Sequence, residues 1–481
     1  MKKLTLILLA VAGLASCKKK DLELFPYNQI ETTQAFNTEA DVTLAINGMY
    51  AGLRTSGSYY VSGVWNILAD VLADNLIVNK SGPGRGTLVT YGEWRYTGLT
   101  TTFNLFSGGY SIVRRANAIL ENIEKFPAGS FKNNTKGEAL ALRALVYFDM
   151  SRAYSKTYLN ATASDSTVPY ITTTDPQILP AKESLKGFYD KVIADLESAE
   201  TLIGSSNGIY RFNSNAVSGL LSRVYLYKGD WAKCISTATD ALGATPNVAS
   251  RTAFPGIWTD DASNAGVLLK VRNTKLDNVN AQGVNYYQVV GGERKSEYLV
   301  EYNFKQLFLP TDIRTSTYIA TSNFNGSSYN NVIKYNGRPG DPAGVVDGKV
   351  LRTAEVLLNR MEAYFKSGNE AAARTDLKLL KINRYSPYDP AADDLLTGQA
   401  LLDEIYLQRR LELAFEGDRF WDLKRRNLGV TRDGTKGDKA DGSGVKYVFT
   451  SLPAGDYRFQ LPFPSTEINF NKNLTQNPGA Y

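Results

Sequence analysis

Hydrophobic residues recur at three- and four-residue intervals through most of this chain, the spacing of helices that each bury one face. Glu39 to Arg54 places Val42, Ile46 and Met49 or Tyr50 on one stripe, and Trp65 to Val78 reads as the next helix. The stretch Thr101 to Lys125 ends in a stripe of Ile112, Ala116, Ile119 or Leu120 and Ile123, and Lys136 to Ser155 carries Leu142, Leu145, Phe148 and Met150. Further helices are predicted over Leu185 to Ile203, Asn215 to Tyr227, Trp231 to Leu242, Lys349 to Lys366 and Glu370 to Arg384. One local pattern occurs twice: Tyr225, Leu226, Gly229 and Ala232 have counterparts in Tyr364, Phe365, Gly368 and Ala371. An aromatic helix end, a glycine able to take the left-handed cap and a small residue opening the next helix predict a helical hairpin, which must stack on neighbours to bury its apolar face.

The rhythm fails between Gly243 and Gly348, a stretch rich in Gly, Asn, Ser and Thr with β-like runs at Val267 to Val271 and Tyr286 to Val290. About a hundred irregular residues in a compact domain point to a functional loop region or a subdomain. The stretch from Leu401 to Arg426 is amphipathic in a different way. Leu407, Leu411, Ala414 and Phe415 share one face, Leu401 and Ile405 widen it, and Leu402, Tyr406 and Leu413 line much of the rest. Such a helix is mostly buried, so its charges need partners. Arg409, Glu412 and Glu416 lie on one stripe, with Arg410, Asp418 and Arg419 close by. They read as an internal ion network, with general acid/base chemistry the competing reading. Gly417 is expected to end this helix, and Phe420 to Leu423 to restart an apolar run.

The amino terminus carries Lys2 and Lys3, an apolar run from Leu4 to Gly13, then Leu14-Ala15-Ser16-Cys17. The run is too short to span a bilayer and small residues precede the cysteine, so it resembles a lipoprotein leader with Cys17 as the acylated residue. The expected segments are a leader at 1–16, a tether at 17–38, a helical region at 39–242, the irregular insertion at 243–348 and a closing helical region at 349–481.

Composition narrows the chemistry. The 481 residues contain no histidine, which excludes Ser-His-Asp and Cys-His catalysis, HExxH zinc sites and imidazole pH switching. Cys234 is alone once the leader region is set aside, on a helical pattern that makes it a buried thiol. A net charge of +6 without a basic tract gives no support for a nucleic-acid partner. The adjacent pairs Asp260-Asp261 and Asp393-Asp394 do not make a glycosidase pair, because neighbouring side chains point apart. Ser81 to Gly86 lacks the lysine of a phosphate loop, and the acidic run Asp433 to Gly444 breaks calcium-loop spacing at Thr435 and Gly437, so a solvated loop is expected. No cofactor and no metal are expected.

Glu412 to Arg425, ELAFEGDRFWDLKR, resembles the C-terminal signature of the SusD/RagB family, surface lipoproteins that capture nutrients for outer-membrane transporters. The family usually has His or a similar residue where Asp418 stands and Trp-Phe where this chain has Phe420-Trp421. Further landmarks are Asp74-Asn75, Arg115 to Asn117, Val168-Pro169, Asp312-Ile313-Arg314, Lys334-Tyr335 and the closing Gln476-Asn477-Pro478-Gly479. The resemblance implies a mostly α fold of tetratricopeptide-like hairpins, an α-α superhelix, carrying a loop-rich ligand-binding region with short strands. It implies an exterior-facing protein tied to the outer membrane by lipid alone, with an oligosaccharide or polysaccharide ligand, a SusC-like TonB-dependent transporter as partner and no enzymatic activity. A peptide or glycopeptide ligand, and a scaffold holding only protein partners, are the alternatives. Flat aromatic rings suit a sugar's C–H faces, and the 29 Tyr, 20 Phe and 5 Trp supply them. The family places ligand contacts in loops before the third helix and in the insertion, which makes Tyr60, Trp94 and Tyr96 one candidate group and Trp258, Tyr286 and Tyr287 another. Taken singly, each ring reads as ordinary core packing before it reads as a ligand contact, and Arg85, Asn104, Asp260 and Asp261 are candidate companions.

Overall fold

The computed structural model describes residues 35–55, 60, 63–82, 84–259, 263–276 and 281–481. They fall in two compact units, one ending at Ala45 and the other running from Ile46 to Tyr481. Helix α1 (Glu39–Thr55), whose first residues belong to the first unit and the rest to the second, opens on a reciprocal cap: Asp41 Oδ2 accepts from the Thr38 N–H at 2.8 Å and Thr38 Oγ1 from the Asp41 N–H at 3.2 Å.

The second unit is mostly helical. Its principal helices are α2 (Val64–Leu72), α3 (Leu105–Ile123), α4 (Ser130–Tyr154), α5 (Leu185–Leu202), α6 (Ser214–Lys228), α7 (Trp231–Leu242), α8 (Thr353–Lys366), α9 (Glu370–Ile382), α10 (Gly398–Glu412) and α11 (Arg419–Arg425). Side chains that prefer the cap position start many of them: Asn104 accepts from Ser107 N, Ser184 from Gly187 N, Asn213 from Ala216 N, Asp230 from Lys233 N and Asn369 from Ala372 N. α4 is buried on every side from Gly137 onward, the mark of a central helix. Its charges are therefore matched: Arg143 grips Asp195 with two bonds of 2.8 Å, and Glu138 accepts from Arg211 at 2.6 and 2.8 Å.

Successive helices pack on one another, α3 on α4, α4 on α5, α6 on α7 and α8 on α9, and α7 packs on α8. At the two repeated hinges, Gly229 and Gly368 take φ of +76° and +82°. The residue after each glycine donates back into the preceding helix, Asp230 N to Tyr225 O at 3.1 Å and Asn369 N to Tyr364 O at 2.9 Å.

The chain between α7 and α8 contains short strands. β2 (Val267–Val271) pairs antiparallel with β8 (Gly348–Arg352), and β3 (Gln288–Val290) forms a hairpin with β4 (Glu293–Lys295) across Gly291 and Gly292. β5 (Tyr298–Val300), β6 (Ile319–Phe324) and β7 (Ser327–Val332) join β1 (Leu76–Val78) in an antiparallel sheet of order β1-β5-β7-β6. Ile77, Leu299, Phe324 and Tyr329 form its core, with Tyr447 against it.

Four sequence expectations change here. The helix expected through Val78 stops at Leu72, because residues 76–78 pair with β5 and Asn75 O accepts from Glu301 N at 3.0 Å. The helix expected from Lys349 begins at Thr353, its first residues forming β8. The β-like run at Tyr286 is split: Ala281–Tyr286 is a short helix and the strand starts at Gln288. α10 ends at Glu412, ahead of Gly417, since both Phe415 (φ +68°) and Gly417 (φ +79°) turn left-handed before α11. The acidic loop is also anchored: Asp438 is buried and accepts from Lys80 N, Ser81 N, Ser81 Oγ and Val445 N at 2.5–2.9 Å.

Candidate functional site

The turn between α10 and α11 gathers the sequence landmarks. Glu412 is fully buried and faces three guanidinium groups: Arg352 Nη1 at 2.8 Å, Arg384 Nε at 2.8 Å and Arg314 Nη1 at 3.4 Å. Burial alone would raise its carboxyl, but Arg384 and Arg352 hold it well below the usual carboxylate range. Glu416 accepts from Arg352 Nη2 at 2.6 Å and from Lys334 Nζ at 2.7 Å. Arg409 lies 3.0 Å from Asp422 and 3.3 Å from Asp418. Arg419 grips Asp74 with bonds of 2.8 and 2.9 Å, while Arg410 reaches Asn75 at 2.8 Å. Burial pushes Asp74 up, yet Arg419 and Arg410 prevail and hold it at about 2. Arg409, Glu412, Glu416 and Arg419 thus belong to three adjoining clusters, each with charges matched across helices.

The aromatic candidates occupy different surroundings. Trp258, Tyr286, Tyr318 and Tyr335 are buried, and the Lys334 ammonium sits 3.8 Å from the Tyr318 ring centroid and 4.2 Å from that of Trp258. Tyr286 stacks on Tyr335 at 6.0 Å. Trp94 donates its Nε1–H to Leu72 O at 2.9 Å, and the Arg432 guanidinium covers its ring at 4.0 Å. Tyr96 stacks on Tyr91 and donates to Arg458 O; Tyr60 donates to Asp149. Exposure of Tyr60, Trp94, Tyr96, Trp258 and Tyr286 is at most 3%. Of the two readings open for these five rings, ligand contact and core packing, their surroundings are those of packing: protein cations and neighbouring rings cover them.

Tyr60 also borders a polar hollow of about 40 Å³ with Asp149, Arg152, Arg223 and Glu355. That space suits two or three waters at roughly 10–15 Å³ each, less than a sugar ring needs. Of the other named residues, Asn104 caps α3. Cys17, Asp260 and Asp261 lie outside the described residues.

Tyr287 differs from the other five rings because it is only half-buried. It sits between the short helix Ala281–Tyr286 and strand β3, with the Arg294 guanidinium of β4 stacked at 4.3 Å from its centroid. Three acceptors hold Arg294 Nη2: Tyr286 O at 3.0 Å, Val332 O at 2.6 Å and Asn336 Oδ1 at 2.8 Å. Its Nε is without a partner. No carboxylate pairs with it among the described residues, and burial pushes it down to about 10. Beside this pair, buried Glu297 accepts from Arg85 Nε and Gln288 Nε2, each at 3.2 Å, and Asn285 Oδ1 accepts from Arg85 Nη2 at 3.3 Å. The Arg85 side chain remains 56% exposed. A half-open ring backed by a cation and flanked by amides and a second guanidinium can pack against a sugar's C–H face while donating to its hydroxyls. Arg294, Gln288, Asn285 and Glu297 escaped the sequence reading. The available signal was the Gly291-Gly292 hairpin turn, which pairs charged β4 with β3, directly after Tyr287.

Residues 285–479 match the SusD family model, and residues 22–226 match a second model described as starch-binding associating with outer membrane. SusD-like protein P38 of Formosa agariphila is 26% identical over 492 aligned positions, covering 88% of this chain and 91% of that protein. Among solved structures, one from Bacteroides vulgatus superposes with a TM-score of 0.81 at 26% identity, covering 93% of this chain and 100% of the other. A SusD superfamily protein from Bacteroides thetaiotaomicron gives 0.79 at 23% identity, over 92% and 100% of the two chains. Each half of the chain thus matches a SusD-type family model, and the landmark residues Asp74, Asn75, Arg314, Lys334 and Tyr335 meet at one buried turn.

Proposed function

We propose that this protein binds a glycan at the exterior of the outer membrane and passes it to a SusC-like TonB-dependent transporter without breaking a bond. The observation that carries the reading is the pair of family matches, one of them to a model described as starch-binding associating with outer membrane. The Tyr287–Arg294 shelf supports it. Its ring is half-open, and Arg85, Asn285 and Gln288 supply polar groups beside it. A shallow shelf of this kind holds an oligomer weakly enough to release it, since few atoms of each sugar unit are desolvated.

Affinity electrophoresis through gels containing starch and a panel of other polysaccharides tests the reading. The purified protein is expected to be retarded by at least one of them. Tyr287→Ala should weaken that binding about tenfold, the equivalent of roughly 1.4 kcal/mol for one ring contact. Free migration through every gel, or shortened polysaccharide after incubation, would overturn the reading.

A further inference from the structure

A second cavity, of about 220 Å³, opens between the end of α4 and the C-terminal stretch that follows α11. It shares no residue with the Tyr287 shelf. Its size is several times what one water needs and below the roughly 300–1,000 Å³ of pockets for drug-sized ligands, which suits one ring rather than a chain.

Two of its wall groups keep hydrogen-bonding capacity that no described residue takes up. Lys424 is buried, and its Nζ donates to Arg152 O at 2.7 Å and to Ser155 O. Those two carbonyls leave one ammonium donor, and no carboxylate pairs with Lys424 among the described residues. Gln460 is 8% exposed and lines the cavity. Thr157 is 9% exposed and its Oγ1 is unpartnered. Exposed Asn160 stands on the same wall, and Phe459 supplies an apolar one. Buried polar groups are expected to be satisfied, so an ammonium donor and a hydroxyl left open beside one cavity, with the Gln460 and Asn160 amides on its wall, mark the place of a ligand that completes them.

The charges around the cavity set its sign. Lys156 lies on the wall, with its Nζ 2.7 Å from Asp165. The acidic wall residue Asp456 is held by Arg458 at 2.7 Å. Lys424 is therefore the charge still lacking a counter-ion. Burial, and then the nearby Arg152 charge, push it down to about 7, a cost that an anion beside it would remove. The neutral amides and hydroxyl suit hydroxyl groups, and Phe459 suits C–H bonds.

We propose that this cavity is a binding site for a small hydroxylated carboxylate the size of one acidic sugar. Its carboxylate meets Lys424, and its hydroxyls meet Gln460, Thr157 and Asn160.

Calorimetric titration of the full protein with galacturonate, galactose and acetate at matched ionic strength tests this. Galacturonate is expected to bind, with galactose and acetate at least about tenfold weaker, the loss of one charged or hydroxyl contact. Thr157→Val and Gln460→Leu should each weaken galacturonate about tenfold, and Thr157→Val should do so without lowering Tm, because its hydroxyl has no protein partner to lose. Tyr287→Ala should leave galacturonate binding unchanged, whatever it does to polysaccharide. The proposal fails if galacturonate does not bind, if galactose or acetate binds as tightly, if both cavity variants keep full affinity, or if Tyr287→Ala abolishes the binding.

Discussion

Asp70, on α2, is fully buried with no cation against it at ion-pair distance among the described residues. Asn75 Nδ2 donates to one of its oxygens at 2.6 Å, and the other oxygen has no partner. Burial pushes its carboxyl up to about 7. A carboxyl raised in the folded state binds more protons there than in the unfolded chain between roughly pH 4 and 7. Its contribution is therefore complete below that window and is lost as pH rises through it. Asp70→Asn keeps the shape and removes the titration. The variant's urea midpoint, compared with that of the natural protein, is expected to gain between about pH 4.5 and 8; a difference independent of pH would refute this. At this scale charge was more legible than ring exposure. Glu412 and Arg409 had to find partners because their helix is apolar on most sides, and a helical period shows that directly. Trp94 and Trp258 could not be placed in the same way. Gly- and polar-rich neighbours made them look open, and the cations that cover them, Arg432 and Lys334, come from distant parts of the chain.

The element scale turns on three glycines. Gly368 ends the α8 hinge with φ +82°, and a Cβ built there would meet nothing within 4 Å. Gly368→Ala should therefore cost only the left-handed backbone penalty, about 1–2 kcal/mol. Gly229 has a similar φ of +76°, and its added Cβ would press on a tip of the exposed Leu159 side chain at 2.7 Å, which can swing aside. Gly417 combines φ +79° with backbone crowding: Trp65 O at 3.0 Å and Asn66 Cα at 3.1 Å. Chemical denaturation should show Gly417→Ala costing clearly more than Gly368→Ala, and equal losses would contradict the close approach of this turn to α2. Both hinge glycines were legible, since an aromatic helix end followed by glycine prescribes a left-handed cap. The missed boundaries were at residues 73–78 and 349–352, where short apolar runs serve helix and strand equally well and their pairing partners, β5 and β2, lie far along the chain.

Across the whole molecule, the helical frame followed from periodicity, while the loop-rich stretch did not, because its strands are too short to show a period of their own. Attachment to a membrane is a separate matter. No helix among the described residues is long and apolar enough to cross one, and outside them the sequence offers two features that would hold the chain at a membrane surface. Acyl chains on Cys17 would each contribute about 0.8 kcal/mol per buried CH₂. Lys18, Lys19 and Lys20 would add roughly 1 kcal/mol apiece near anionic lipid, a contribution that salt screens. The two respond oppositely to washing. If acylation dominates, the natural protein stays with the membrane fraction in high salt, and Cys17→Ser releases it even in low salt. If the lysines dominate, high salt strips the natural protein and Cys17→Ser changes little. Fractionation of both forms at both salt levels decides between them. The expected outcome is salt-resistant attachment that depends on Cys17, because the buried CH₂ groups of acyl chains there would outweigh three screened charges.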